Sequence, residues 1–149
     1  MSATKIKTIM TRNPSIIAPD ATITEAAKRM HAVDCGCLPV GTGEHVAGMI
    51  TDRDIALRVV AEGRDPARTH VSEVMTKGAY TIDENADVED AATEMHNHDI
   101  ARLVVTSNKK VTGIVTMAEI LRDVAAANRS PKVLRELAKP RTREPQPAH

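Results

Sequence analysis

The sequence predicts an α/β (α+β) fold of two tandem β-α-β-β-α units, packed sheet to sheet with pseudo-twofold symmetry. Sliding the chain by 65 residues aligns residues 10–61 with residues 75–126 without a gap and gives 17 identities. Both copies alternate strand-like and helix-like segments in the same order. Because a unit of about 50 residues is too small to cover its own sheet, we expect the two units, residues 5–65 and 66–128, to cover each other.

The first half of each unit is a short strand followed by an amphipathic helix. Each copy opens with a Met-Thr pair, after which Ser15–Ala18 and Tyr80–Asp83 are predicted strands. The first helix is predicted to begin near Thr22, because Thr22 and Glu25 have the spacing of a capping box. Its apolar face recurs in the second copy, and the positions are Ala26, Ala27 and Met30, repeated as Ala91, Ala92 and Met95.

The second half of each unit is a predicted hairpin and a closing helix. The hairpin strands are Leu38–Val40 with Val46–Thr51, and Leu103–Val105 with Val111–Thr116. A polar linker, residues 63–70, and a short helical lead-in at residues 71–75 separate the copies. In residues 129–149 we expect a short helix from Pro131 to Lys139 and then a disordered tail.

Composition excludes several classes of partner. Twenty basic and twenty acidic residues cancel, and Tyr80 is the only aromatic ring. A neutral chain without stacking aromatics gives no sign of binding nucleic acid. No apolar run is long enough to span a membrane and the N-terminus lacks the apolar core of a secretory signal, which favours a cytoplasmic protein.

Catalysis and metal binding are both disfavoured by the motifs. The chain has no Ser-His-Asp order, no phosphate-cradling glycine-rich loop and no dinucleotide fingerprint, so we expect no catalytic residues and no enzyme activity. Cys35 and Cys37, with nearby histidines, match no standard zinc spacing, and no metal is expected. The two cysteines are separated by one residue, too close for an ordinary intrachain disulfide, and we interpret them as buried small thiols in a reducing compartment. Oxidation could still join two chains through either thiol.

The two strand-to-helix turns carry the remaining signal. Thr51 and Asp54 recur as Thr116 and Glu119, each pair at the end of a predicted strand. One interpretation is a helix capping box, in which the threonine and the carboxylate satisfy each other's amides. The other is a ligand site, in which the carboxylate binds ribose hydroxyls and Arg53 brings positive charge to phosphates. The two interpretations are compatible.

Taken together, these features resemble a tandem pair of CBS domains, the Bateman module. The doubled turns, Gly48–Ile55 and Gly113–Ile120, and the recurring Met-Thr pairs carry the resemblance over about residues 5–127. In detail the chain resembles small stand-alone bacterial CBS-domain proteins. The resemblance implies a regulatory module that binds adenosine compounds in clefts between the units. The candidate ligands are AMP, ADP, ATP, S-adenosylmethionine and NAD.

The resemblance also implies which residues form each cleft. Each cleft would take its threonine–carboxylate turn from one unit and its opening strand from the other. Carried over, the first cleft has Met49, Thr51, Arg53 and Asp54 facing Ala79, Tyr80, Ile100 and Arg102. The second has Ile114, Thr116 and Glu119 facing Pro14, Ser15, Cys35 and Gly36. Because Ala118 and Cys37 stand where arginines would be, we expect one well-formed nucleotide site, built on Thr51 and Asp54.

The function expected from this resemblance is a cytoplasmic homodimer that senses adenine nucleotides. Binding would shift the helices at the dimer interface and pass a signal to an effector protein. The alternative is a dimerising or stress-response interaction module without a ligand. In that case the threonine–carboxylate turns would serve only as helix caps.

Overall fold

The computed structural model describes residues 4–127, which fold into two compact units. The central unit is Pro14–Ala79, and the split unit joins residues 4–13 to residues 80–127. The α/β fold of two repeated units is therefore confirmed. The predicted domain boundaries, residues 5–65 and 66–128, describe where the sequence repeat divides, and they stay a prediction. The compact units follow strand pairing instead, which places residues 4–13 with residues 80–127.

Along the chain, seven strands and five α-helices are described within residues 4–127. In order they are a 3-10 turn (Ile6–Thr8), β1 (Thr11–Arg12), α1 (Ile23–Val33), β2 (Cys37–Gly41), β3 (Val46–Thr51), α2 (Asp52–Ile55) continued by a π-helical turn (Ala56–Val60), α3 (Val71–Val74), β4 (Thr76–Lys77), β5 (Thr81–Asp83), α4 (Val88–Asn97), β6 (Arg102–Ser107), β7 (Lys110–Thr116) and α5 (Met117–Ala127).

Each unit has one small sheet. In the central unit β2, β3 and β4 are antiparallel neighbours. In the split unit the order is β1-β7-β6-β5, with β5 parallel to β6 and the other pairs antiparallel. Because β1 pairs with β7, the start of the chain belongs with the second sequence copy.

The predicted strand at Ser15–Ala18 is wrong. Only one parallel bridge forms there, between Ile17 and Val40. The carbonyl of Ile16 accepts a hydrogen bond from the guanidinium of Arg29, at 3.3 Å, and Pro19 has no amide to extend a ladder. The equivalent bridge in the split unit, Ile82 with Val105, lies inside a regular strand pair.

The close approach of neighbouring backbones explains why Gly48 and Gly113 recur. A Cβ atom on Gly48 would collide with the carbonyl oxygen of Thr76 on β4. One on Gly113 would lie 2.8 Å from the carbonyl oxygen of Thr11 on β1, and also against the side chain of Met10. The Met-Thr segments therefore pack directly on the glycines of the hairpins.

Each unit has its own aliphatic core. In the central unit the core contains Ile17, Ile23, Leu38, Ile50 and Val59, among others. In the split unit, α4 and α5 cover the sheet with Ala91, Ala92, Met95, Ile120 and Val124.

The helices predicted within residues 4–127 form, but one residue of their predicted apolar faces is exposed. The capping box of Thr22 and Glu25 is present at the start of α1. Ala26 and Met30 are buried as predicted, but Ala27 is exposed, whereas its repeat Ala92 is fully buried. The predicted helix Pro131–Lys139 and the tail after it lie outside the described residues. No helix in the described part of the chain is long and apolar enough to cross a membrane.

Candidate functional site

The Thr51 turn connects β3 to α2 through a complete capping box. The hydroxyl of Thr51 accepts a hydrogen bond from the amide of Asp54 at 3.1 Å. The carboxylate of Asp54 accepts one from the amide of Thr51 at 2.9 Å, through Oδ2. Both residues are half-buried, and Oδ1 of Asp54 receives no hydrogen bond from residues 4–127. Capping therefore fixes the carboxylate while leaving one oxygen for another donor.

Arg53 brings positive charge to the same turn. Its amide donates to Oδ1 of Asp52 at 2.8 Å, which holds the first turn of α2. Its side chain is exposed, and within the described residues its guanidinium makes no ion pair or hydrogen bond. An arginine in this state can form bidentate hydrogen bonds to a phosphate or carboxylate.

The segment of Cys35 and Gly36, which we predicted to face the Thr116 turn, adjoins the Thr51 turn within the central unit. The carbonyl of Gly36 accepts a hydrogen bond from the amide of Asp52 at 2.9 Å. A Cβ atom on Gly36 would lie 2.6 Å from the carboxylate of Asp52, so the approach is close. Cys37 faces Thr51 across the β2–β3 pair. The geometry of the Thr51 turn therefore depends on the Cys35–Cys37 segment.

The Thr116 turn uses its carboxylate differently. The hydroxyl of Thr116 accepts from the amide of Glu119 at 3.3 Å and lies 3.2 Å from Oε1 of Glu119. A second hydroxyl, that of Thr11 on β1, donates to the same Oε1 at 3.3 Å. Oε2 of Glu119 is buried and has no hydrogen-bond partner in residues 4–127. Burial raises the pKa of the Glu119 carboxyl, against the hydrogen bonds from Thr116 and Thr11, which lower it.

The two turns are thus chemically unequal. Asp54 caps the amide of Thr51, whereas the longer Glu119 bonds to two hydroxyls, those of Thr116 and Thr11. The second oxygen of Glu119, Oε2, is buried without a partner among residues 4–127, and an unpaired buried carboxylate oxygen is costly. The Thr51 turn is better prepared to hold a hydroxylated, anionic ligand.

The other residues predicted on the central unit lie around its sheet. Met49 is half-buried on β3 and faces Pro39 on one side and Thr76 on the other. The hydroxyl of Ser15 accepts from the guanidinium of Arg29 at 3.1 Å, so it is already engaged. Pro14, Cys35 and Ala79 are half-buried.

The residues predicted on the split unit fall into two groups. Ile114 is buried in β7, and Arg102 faces Thr116 across the β6–β7 pair. Tyr80 is half exposed and stacks on the ring of His98, with centroids 3.9 Å apart and planes 19° apart. Ile100 is half-buried and packs on the core of the split unit.

Three residues that contact predicted site residues were not predicted from the sequence. Thr11 holds Glu119, Asp52 holds the Thr51 turn and His98 stacks on Tyr80. The recurrence of Thr11 as Thr76 was a usable signal for the first. Nothing in the repeat pointed to His98, because its counterpart in the first copy is Val33.

Comparison with known proteins decides the family. The family model of the CBS domain matches residues 6–61 and again residues 71–126. The chain belongs to the CBS-domain family. It is 39% identical to the CBS domain-containing protein YhcV of Bacillus subtilis over 115 residues, which is 77% of this chain and 81% of that protein. It is 34% identical to Hypoxic response protein 1 of Mycobacterium tuberculosis over 80% of this chain and 84% of that protein.

Two solved structures are informative neighbours of this CBS-domain protein. One is Hypoxic Response Protein I with two coordinated zinc ions, at 34% identity and a TM-score of 0.70, covering 80% of this chain and 98% of that one. The other is the CBS domain pair of protein MJ0100 in complex with 5′-methylthioadenosine and S-adenosyl-L-methionine. It matches at 27% identity and a TM-score of 0.75, covering 85% of this chain and 99% of that one.

Because Hypoxic Response Protein I was solved with zinc, the two thiols of this chain are the groups to compare. Among residues 4–127, no three His, Cys, Asp or Glu side chains are grouped so that they could hold a metal ion. The sulfur atoms of Cys35 and Cys37 are 3.6 Å apart, and Cys35 Sγ also donates to the carbonyl of Cys37 at 3.2 Å. The described structure therefore shows a dithiol pair and no larger cluster of ligands.

Proposed function

We propose that this CBS-domain protein is a regulatory sensor of adenosine compounds, with AMP, ADP, ATP and S-adenosylmethionine as the candidate ligands. The observation that carries the proposal is the state of the Thr51 turn. Capping orients the carboxylate of Asp54 and leaves its Oδ1 unused by residues 4–127, and the adjacent guanidinium of Arg53 has no acceptor there.

These two groups suit the two ends of a nucleotide. A carboxylate oxygen accepts hydrogen bonds from ribose hydroxyls, and it does so more strongly than a neutral acceptor because it is charged. A guanidinium matches the geometry of a phosphate. Because the capping box already fixes Asp54, little side-chain entropy remains to be lost on binding.

The Thr51 turn is the favoured site in this proposal. The carboxylate of Glu119 already accepts from Thr11 and Thr116, and Ala118 offers no positive charge at the position of Arg53. The unpaired oxygen of Glu119, Oε2, is buried, so a ligand at the Thr116 turn would have to displace the bonds at Oε1, and it would lack an arginine beside it. The contribution of Tyr80, Ile100 and Arg102 to nucleotide binding stays a prediction.

The comparisons support an adenosine ligand and a regulatory role. The related CBS domain pair of MJ0100 was solved with two adenosine compounds. Two of its relatives, YhcV and Hypoxic response protein 1, carry names that do not denote enzymes. We extend the proposal to a cytoplasmic homodimer that signals to an effector protein and has no catalytic activity of its own.

A second function is favoured by the capping box itself. Both hydrogen bonds of the box are present at Thr51, so capping alone accounts for the threonine and the carboxylate. The protein would then be an interaction module without a ligand. Asp54→Asn separates the two functions, because the amide oxygen of asparagine can still accept from the amide of Thr51 while the charge is lost.

The test is calorimetric titration of AMP, ATP and S-adenosylmethionine into the wild type, Asp54→Asn and the matched variant Glu119→Gln. At least one ligand should bind the wild type. Asp54→Asn should weaken its affinity by about 1.5–3 kcal/mol, the contribution of a hydrogen bond to a charged group. Glu119→Gln should leave the affinity unchanged. Absence of binding by all three ligands, or equal binding by Asp54→Asn, would favour the interaction module.

A further inference from the structure

We propose that Cys35 and Cys37 form a reversible intramolecular disulfide whose formation disturbs the Thr51 turn. The two sulfur atoms are 3.6 Å apart, and a disulfide bond needs about 2.0 Å. The approach therefore requires only a small movement of the two side chains and of the residue between them. That residue is Gly36, which has no side chain to obstruct the movement.

The backbone holds the two thiols differently. The amide of Cys35 donates to the carbonyl of Met30 at 3.0 Å, which closes the end of α1. Cys37 is held by the β2–β3 pair, where it faces Thr51. Because hydrogen bonds hold the backbone at both Cys35 and Cys37, formation of the disulfide has to move the peptide groups on either side of Gly36.

Exposure assigns the order of the chemical steps. Cys35 is half-buried, whereas Cys37 is only 2% exposed. Cys35 is therefore the sulfur that a dissolved oxidant can reach. With glutathione disulfide as oxidant, the thiolate of Cys35 attacks one sulfur and displaces one glutathione thiolate. Cys37, after losing its proton, then attacks Cys35 Sγ and displaces the second. The chain loses two electrons and two protons, and glutathione disulfide is reduced to two thiols.

The closed ring is expected to be easy to reopen. A bridge between residues this close in sequence departs from relaxed disulfide geometry, and such departures make the bond more reducible. Strained and accessible disulfides are the labile, regulatory class. A thiol reductant should therefore restore the dithiol.

The connection to the Thr51 turn runs through Gly36. Its carbonyl accepts the hydrogen bond of the Asp52 amide at 2.9 Å, and its α-carbon packs against the carboxylate of Asp52. Movement of the peptide groups around Gly36 lengthens this hydrogen bond. Any effect on nucleotide affinity rests on the proposed function, so the test follows the amide of Asp52 and uses no nucleotide.

The first part of the test is mass spectrometry of the full chain incubated with glutathione disulfide. No Lys or Arg lies between Arg29 and Arg53, so one tryptic peptide, residues 30–53, contains both cysteines of the chain. We expect this peptide to lose two hydrogens, to gain no glutathione and to recover with dithiothreitol. Cys37→Ser should trap one glutathione on Cys35. The matched variant Cys35→Ser should react with glutathione disulfide at least about tenfold more slowly, because its remaining thiol, that of Cys37, is buried.

The second part is hydrogen exchange of the Asp52 amide, read by NMR before and after oxidation. We expect exchange at Asp52 to accelerate about tenfold, while the amide of Met117, bonded to Ala101 in the split unit, is unchanged. A stable glutathione adduct or a covalent dimer in place of the intramolecular disulfide would overturn the redox pair. A disulfide that leaves exchange at Asp52 unchanged would overturn its effect on the turn.

Discussion

The hydroxyl of Thr11 donates a hydrogen bond to Oε1 of Glu119, at 3.3 Å and across 108 residues of sequence. Glu119 has the same position in its turn as Asp54, yet its hydrogen bonds lead to two hydroxyls instead of the backbone amide of its own turn. The longer side chain of Glu119 reaches Thr11 on β1, whereas the side chain of Asp54 caps the amide of Thr51. This difference underlies our choice of the Thr51 turn as the ligand site.

Removing the Thr11 hydroxyl should raise the pKa of Glu119 further. Burial already raises this pKa, and the hydrogen bond from Thr11 opposes the effect. Thr11→Val deletes the bond at nearly constant shape, and NMR titration of the Glu119 carboxyl measures the result. Thr112→Val is the control, because the hydroxyl of Thr112 bonds to the carbonyl of Val105 instead. An unchanged pKa in Thr11→Val would show that the bond is not formed in solution.

The raised pKa of Glu119 predicts how stability changes with pH. Since the folded chain holds this proton more tightly, Glu119 stabilises the fold below its ordinary pKa of 4.5, and this contribution is lost as pH rises through the folded pKa. Glu119→Gln should remove that decline, as measured by urea unfolding across pH at fixed ionic strength. Parallel curves for the wild type and Glu119→Gln would contradict the assignment.

Glu73 provides a contrast of opposite sign for the same experiment. Its carboxylate accepts from the amide of His70 at 2.6 Å, and this bond is the main reason that its pKa is lowered. Its contribution is present above pH 4.5 and is lost as pH falls through the lowered pKa. Glu73→Gln should therefore alter the curve on the acid side of 4.5, where Glu119→Gln does not.

Substituting the recurring glycine of β3 should destabilise the central unit. The Cβ atom of Gly48→Ala would meet the backbone oxygen of Thr76, and backbone cannot yield as a flexible side chain can. We expect a loss of about 1–3 kcal/mol in the free energy of unfolding, measured with urea. Gly43→Ala is the matched control, since its Cβ would meet nothing within 4 Å and should cost under about 0.5 kcal/mol. Equal stabilities would mean that β4 does not pack on Gly48 in solution.

The proposed homodimer can be tested on the helix that follows the Thr51 turn. Leu57 and Val60 lie on its π-helical continuation and are 46% and 71% exposed. Val60→Lys should produce monomers in analytical ultracentrifugation, because it places a charge on an apolar contact. Gly43→Lys, in the exposed β2–β3 turn where a Cβ atom would meet nothing within 4 Å, should leave the dimer intact. A wild type that is monomeric, or a Val60→Lys variant that stays dimeric, would contradict association through this helix.

Elements specified by local pattern were predictable from the sequence. The β2–β3 hairpin and the capping boxes at Thr22 and Thr51 are where alternation and spacing place them. The absence of a strand at Ser15–Ala18 was not predictable, because the Arg29 side chain binds the Ser15 hydroxyl and the Ile16 carbonyl only once α1 is folded in place.

The candidate ligand site was predictable only in the part that is local in sequence. Thr51, Arg53 and Asp54 adjoin one another in sequence, so their shared turn follows directly from the pattern. The bond between Thr11 and Glu119 requires the antiparallel pairing of β1 with β7, which brings the two ends of the described chain together. The approach of Gly36 to Asp52 likewise depends on strand register. Residues brought together by pairing between distant strands lie beyond what spacing can indicate.

The assignment of the nucleotide site to the Thr51 turn is tested by NMR titration of the isotopically labelled protein with AMP, ATP and S-adenosylmethionine in turn. We expect one of them to shift the backbone amides of Asp52, Arg53 and Asp54 at concentrations that leave those of Met117, Ala118 and Glu119 unmoved. Titrations in which the second group shifts first, or in which no ligand moves the first group, would contradict the assignment of the nucleotide site to the Thr51 turn.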